Sequence, residues 1–206
     1  VSTMELARAE RRDFTNLLEE LTPEQWDAPS LCTQWRVRDV VAHFVGFEDL
    51  SRAAMVPRFI KGGFNPNRIN ATRLAELSGL SPEQLVERVR ASETPRGLTA
   101  GFDGRIALLD SMIHQQDVRR PLGIPRVIPE DRLRVAMDFA TWAPLVRGFW
   151  RGRGVRLVAS DMDWTFGRGS EVTGPAEAVL MAMGARADAL KDLDGPGKST
   201  LAQHIS

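Results

Sequence analysis

A mainly α-helical bundle carrying a small C-terminal α/β segment is the fold class this sequence predicts. Three observations predict it. Apolar residues recur at three- and four-residue spacing through most of residues 3–150. Alternation of apolar and polar residues is confined to "GVRLVASDMDWTFGRGSEVTG". The helix-start signal Ser/Thr-Pro-Glu-Gln occurs twice, at Thr22 and at Ser81.

Taken in order, Leu6, Phe14, Leu17, Leu18 and Leu21 predict a first helix over 3–20. In "TPEQW", Thr22 serves as N-cap, Pro23 takes the first helical position and Gln25 the third. "DAPSLCTQW" (27–35) is a loop anchored by Leu31, Cys32 and Trp35. A second helix is expected over 37–60 on Val37, Val40, Val41, Phe44, Phe47 and Leu50, with Pro57 kinking its last turn. "KGGFNPN" breaks the chain, and a helix near 68–78 follows. Ser81, Pro82 and Gln84 repeat the cap pattern for a helix over 81–93. The fourth bundle helix spans 103–119 on Ile106, Leu109, Ile113 and Val118, and "PLGIP" ends it. Residues 129–150 form a further helix disturbed by Pro144. A β-hairpin with a third short strand, a final amphipathic helix over 175–193 and a loose end complete the chain. The expected division is a helical bundle over 1–150 and a hairpin-plus-helix segment over 151–206.

Composition narrows the function classes. A chain of 206 residues with 43% hydrophobic content can bury one substantial core, or one core and a small appendage. Basic and acidic residues balance at 27 each, so no global field favours nucleic acid or an anionic membrane. One cysteine, Cys32, permits no intrachain disulfide and fits a reducing compartment. The charged start "VSTMELARAERRDF" lacks the apolar run of a signal peptide, and no apolar run approaches the ~20 residues that cross a bilayer. The expected setting is cytoplasmic, with no nucleic-acid and no membrane partner.

Candidate chemistry centres on two of the three histidines, His43 and His114, each set in a helix that otherwise reads as core. Asp110 precedes His114 by one helical turn, so both share a face, and Asp117 extends that polar stripe. Bundles that bind metals project ligands from facing helices into their middle in this way. His43 is then the obvious third group. Imidazole nitrogen and carboxylate oxygen suit Zn²⁺ and similar divalent ions, and three protein ligands leave a position open for water or a thiolate. The same residues have a plainer reading as a helical side-chain pair and a hydrogen-bonded core histidine. Asp117, just before Arg119 and Arg120, reads as a helix-end ion pair or an outer partner of a ligand. Asp39 reads as a favourable first-turn charge, and His204 as an inert tail residue. Cys32 reads as a small apolar anchor, because no histidine or cation is forced near it by sequence.

Three motifs carry a resemblance. "LTPEQWDAPSLCTQWRVRDVVAHF", "DSMIHQQDVRRPLGIP" and "GVRLVASDMDWTFGRGSEVTGPAEAVLMAMGARADAL" occur in this order and cover nearly the whole chain. Together they resemble the mycothiol-dependent maleylpyruvate isomerase-like proteins, within the DinB-like superfamily of four-helix bundles. The resemblance implies a divalent metal, zinc the expected one, held by His43, Asp110 and His114. It implies mycothiol as the thiol cofactor and a small electrophile as substrate, with isomerisation or S-transfer as the reaction. It also implies that Arg186, on the last helix, meets a substrate carboxylate as the catalytic arginine, against its plain reading as an amphipathic-helix surface residue. A homodimer is compatible with these expectations.

Two departures stand out. Asp110 replaces the Glu of the characterised isomerase, one methylene shorter. Arg36 stands where a Ser or Thr would cap the second helix with Asp39 as its box partner, and Arg cannot accept an N–H bond. Two other functions stay open: a non-catalytic metal- or ligand-binding bundle, and a metal-dependent hydrolase with Asp117 or Glu48 as general base.

Overall fold

The computed structural model describes residues 1–46, 66–143 and 146–205. The chain divides into two compact units, Val1–Arg126 and Val127–Ser206. Between this division and the boundary expected at residue 150 lie the helix Glu130–Trp142, which packs against Ala176–Met183 of the second unit, and most of the short helix Gly148–Arg151.

The first unit contains α1 (Thr3–Glu19), α2 (Pro23–Asp27), α3 (Val37–Val45), α4 (Pro66–Leu77), α5 (Pro82–Ala91) and α6 (Arg105–Leu122). Helices α1, α3, α5 and α6 pack on one another as the bundle, with α4 against α3. The core is the apolar stripe of each helix: Phe14, Leu17 and Leu18 of α1, Val37, Val40, Val41 and Phe44 of α3, Leu85 and Val89 of α5, and Val118 of α6. Phe14 and Phe44 meet edge to face at 5.2 Å between centroids, a geometry worth roughly 0.5–1.5 kcal/mol beyond area burial.

Local chemistry sets the helix starts. Thr22 Oγ1 accepts from the Gln25 amide while Gln25 Oε1 accepts from the Thr22 amide. Ser81 and Gln84 exchange the same pair of bonds. Each such N-cap contributes about 1 kcal/mol. At α3 half of the box survives. Arg36 makes no side-chain cap, but Asp39 Oδ2 accepts from the Arg36 amide at 2.9 Å and pairs with its guanidinium. The rest of the expected 37–60 helix, with Phe47, Leu50 and Pro57, lies outside the described residues.

The second unit contains α7 (Glu130–Trp142), α8 (Gly148–Arg151), β1 (Val155–Ala159), β2 (Thr165–Gly167), β3 (Ser170–Gly174), α9 (Ala176–Met183), a 3₁₀ helix (Ala187–Asp192) and α10 (Lys198–Ile205). The sheet order is β2-β1-β3. β1 and β2 form the expected antiparallel hairpin, with Leu157 opposite Phe166, while β3 runs parallel to β1, with Leu157 opposite Val172.

Two expectations are corrected here. The final helix is not continuous over 175–193: Gly184 ends α9, Ala185 adopts φ +64°, and Arg186 leads into the 3₁₀ turn. Arg186 therefore sits at a break and not on the helix. The end of the chain is not loose either: α10 buries Leu201 and Ile205, one helical turn apart, and His204 Nδ1 lies 2.9 Å from the Arg151 carbonyl.

Gly169 shows how tightly the sheet is closed. It sits at φ +129°, and a Cβ there would run into the Gly154 carbonyl. Gly169→Ala combines a conformation that L residues rarely adopt with a backbone clash. The expected loss for the second unit is about 2–4 kcal/mol, read as a lowered denaturation midpoint. A change below 0.5 kcal/mol, the ordinary range of surface substitutions, would contradict this account of the turn.

Candidate metal centre

Helix α6 places Asp110, His114 and Asp117 along one face, and that face is turned inward: Ser111, His114, Gln115, Gln116 and Asp117 are all buried. Such burial is unusual for polar side chains and requires partners. On the Nε2 side, His114 lies 3.4 Å from Asp110 Oδ1. On the Nδ1 side it lies 2.9 Å from Asp117 Oδ2. The two carboxylates differ in setting. The Asp110 side chain keeps 37% of its surface exposed, whereas that of Asp117 keeps none. One side of the imidazole therefore meets a partly exposed carboxylate and the other a buried one.

Helix α3 supplies His43 from across the bundle. Its neighbours Val40, Val41 and Phe44 are locked in the core, which fixes the helix rotation and aims His43 at α6. The rings of His43 and His114 meet at 79°, with centroids 5.1 Å apart. The Trp35 ring packs against the other side of His43 at 5.0 Å. His43 thus packs its ring on that of His114, and Asp110 lies at His114 Nε2; among the described residues, the three donors that all lie within 4.8 Å of one another are those of Cys32, His114 and Asp117.

The loop before α3 adds a group that sequence reasoning had set aside. Cys32 Sγ donates to Asp117 Oδ2 at 3.2 Å, and the Leu31 amide donates to the Asp117 carbonyl at 3.0 Å. Ser30 and Trp35 close the loop on itself through the Ser30 amide and the Trp35 carbonyl, at 3.0 Å. Cys32 is therefore no mere apolar anchor, because a histidine does lie beside it. Donor atoms of Cys32, His114 and Asp117 all lie within 4.8 Å of one another. Asp117 is the buried partner of His114, the second of the two readings its sequence position allowed.

Electrostatics follow from these contacts. Burial alone would push the His114 pKa down. The charge and hydrogen bond of Asp110, with hydrogen bonds to Asp117 and Cys32, more than offset this and hold it well above the ordinary histidine value. Burial would raise Asp110, but the charge and hydrogen bond of His114, then the charges of His43 and Arg11, hold it below the usual carboxylate range.

Arg186 lies in the second unit. There its guanidinium donates to the Gly184 carbonyl at 2.7 Å. Burial, and then the charges of Arg186 and Arg147, hold the Arg151 guanidinium below its usual range. Glu48, one of two bases considered for a hydrolase, lies outside the described residues. The other, Asp117, is fully buried and occupied at His114 Nδ1.

A half-exposed carboxylate and two imidazoles converging from facing helices define a bundle protein with a candidate metal centre, joined to a small α/β unit. Residues 7–97 match the mycothiol maleylpyruvate isomerase N-terminal domain family. That match covers the first of the three motifs and is in line with the resemblance read from them. Two crystal structures of mycothiol-dependent maleylpyruvate isomerase share the fold. A histidine-to-alanine mutant superposes with a TM-score of 0.65 at 17% identity, over 95% of this chain and 92% of that one. The second gives 0.58 at 16% identity with the same coverage. No curated protein matches the chain. Among the described residues no helix is long and apolar enough to cross a membrane.

Proposed function

We propose that this protein is a metal-dependent enzyme that uses a low-molecular-weight thiol, mycothiol, to isomerise a small electrophilic substrate or to accept it in S-transfer. The observation that supports this reading is the packing of the His43 ring on His114, with Asp110 at His114 Nε2. Two imidazoles and one carboxylate match the donor set of a divalent ion of the zinc type and leave a position free. A metal bound there would favour the thiolate form of the thiol, which is the nucleophile.

The residues of this chain have distinct tasks in that scheme. His43 and His114 Nε2 offer lone pairs, and Asp110 offers an oxygen from the exposed side. Asp117 holds the proton on His114 Nδ1, which leaves Nε2 as the coordinating nitrogen and fixes the ring plane. Trp35 limits rotation of His43 by packing on its ring. No protein nucleophile is required, because the thiol fills that role. Isomerisation needs the thiol to add, the substrate bond to rotate and the thiol to leave; S-transfer stops at addition. Arg186 is proposed to meet a substrate carboxylate, a pairing that guanidinium serves well.

The test is turnover of small α,β-unsaturated acids with and without mycothiol. Product is expected only when both thiol and metal are supplied. Arg186→Ala is expected to raise KM about 10- to 100-fold, the equivalent of a lost hydrogen bond between charged groups at about 1.5–3 kcal/mol. Turnover of an ester or amide without thiol would instead indicate hydrolysis. Metal binding with no turnover of any electrophile would indicate a ligand-binding module.

A further inference from the structure

We propose that Cys32 Sγ, Asp117 and His114 Nδ1 form a second cation position, back to back with the first across the His114 ring and selective for thiophilic divalent ions. Its donors lie within 4.8 Å of one another, close enough to converge on one ion with small side-chain movements. They come from two chain segments that are already fastened together by the bond from the Leu31 amide to the Asp117 carbonyl. Asp117 is wholly buried and His114 is 7% exposed. A pre-assembled buried set loses little side-chain entropy on binding. The donor types differ from those of the first position. A thiolate favours soft ions, whereas two imidazoles and a carboxylate favour borderline ones.

The two positions compete for one ring. A neutral imidazole offers a single lone pair, at Nε2 or at Nδ1 but not at both. An ion entering beside Cys32 displaces the thiol proton to solvent and takes the His114 lone pair at Nδ1, while the ring's one proton moves to Nε2, where Asp110 accepts it. The first position then keeps only His43 and Asp110. A thiophilic ion at Cys32 is thereby an inhibitor of the outer site without entering it. The inner position itself does not rest on the thiol-enzyme reading, because it uses neither His43 nor Asp110.

Cadmium is the probe, because thiolate-to-cadmium charge transfer gives an ultraviolet absorption band. Cys32 is the sole cysteine in the sequence, so any such band reports on it alone. Wild-type protein titrated with Cd²⁺ is expected to develop the band to saturation at one ion per chain. The reaction of Cys32 with a thiol reagent is expected to slow in parallel. Cys32→Ser abolishes the band, Asp117→Asn weakens cadmium binding by about 10- to 100-fold, and His43→Ala leaves the band intact. Circular dichroism confirms that each variant is folded. Cadmium bound without the band overturns the proposal, as does absence of cadmium binding. A band of unchanged affinity in Asp117→Asn also overturns it, since the thiol would then be binding alone. Two ions per chain accompanied by the band would overturn the sharing of His114. Failure of the outer metal site appears separately, as zinc-free wild-type protein that still gives the cadmium band.

Discussion

His114→Ala is expected to purify without metal and to lose thiol-dependent turnover. The imidazole is the hinge of the site: Asp110 meets one nitrogen at 3.4 Å and Asp117 the other at 2.9 Å. Removing the outer partner of a ligand typically costs 10–100-fold in metal affinity. Removing the ligand itself is expected to cost at least the upper end of that range, about 100-fold. Metal content by elemental analysis, alongside the folded fraction, checks this. The substitution has a second consequence, because Asp117 would be left buried without its imidazolium partner. A cost of a few kcal/mol in stability follows from breaking such a pair. His43→Ala separates the two effects. His43 is only half-buried. It is expected to lose metal by about 100-fold while keeping the fold. Wild-type metal stoichiometry in both variants would dismiss the proposed ligand set.

The largest stability effect is expected at the other end of the same helix. Glu10 is fully buried in α1, and both its oxygens accept from Arg126 at 2.7 Å. Gln115 donates to Glu10 at 3.3 Å and accepts from Arg119 at 2.9 Å, so the pair is part of a network crossing from α1 to α6 and the segment after it. The Arg126 side chain is only 6% exposed. Glu10→Ala removes the bidentate partner of this buried guanidinium and leaves it Asp13 Oδ2 at 3.5 Å, at a cost of about 3 kcal/mol. Urea unfolding followed by the fluorescence of Trp26 and Trp35, both in the first unit, measures it. The double change Glu10→Met with Arg126→Met is expected to recover most of the loss, because an apolar pair carries no desolvation cost. A loss below about 1 kcal/mol for Glu10→Ala would place the pair among exposed ion pairs and contradict its burial.

Whether a feature could be read from the sequence depended on how far apart its partners lie in the chain. The caps at Thr22 and Ser81 need only residues three positions away, so their pattern carries the whole interaction. Asp110 and His114 were legible for the same reason, since helical geometry places them together. His43 was legible through its oddity in an apolar helix and through the family motif. Cys32 and Asp117 are 85 positions apart. Their contact depends on where a loop is pinned, and nothing local signals it. Glu10 and Arg126, 116 positions apart, escaped notice on the same grounds. The break after α9 was hidden because Ala185 takes a left-handed conformation that alanine rarely adopts, with no glycine at that position to mark it. Helix α10 was missed because Leu201 and Ile205 give too short an apolar stripe to outweigh its polar neighbours.

Anomalous diffraction at the zinc edge, from crystals of the metal-loaded protein, tests the central claim most directly. The account predicts one peak at about 2.0–2.1 Å from a nitrogen of His43 and from His114 Nε2, with Asp110 completing the set. A peak elsewhere, with His43 and Asp110 uncoordinated, would contradict it.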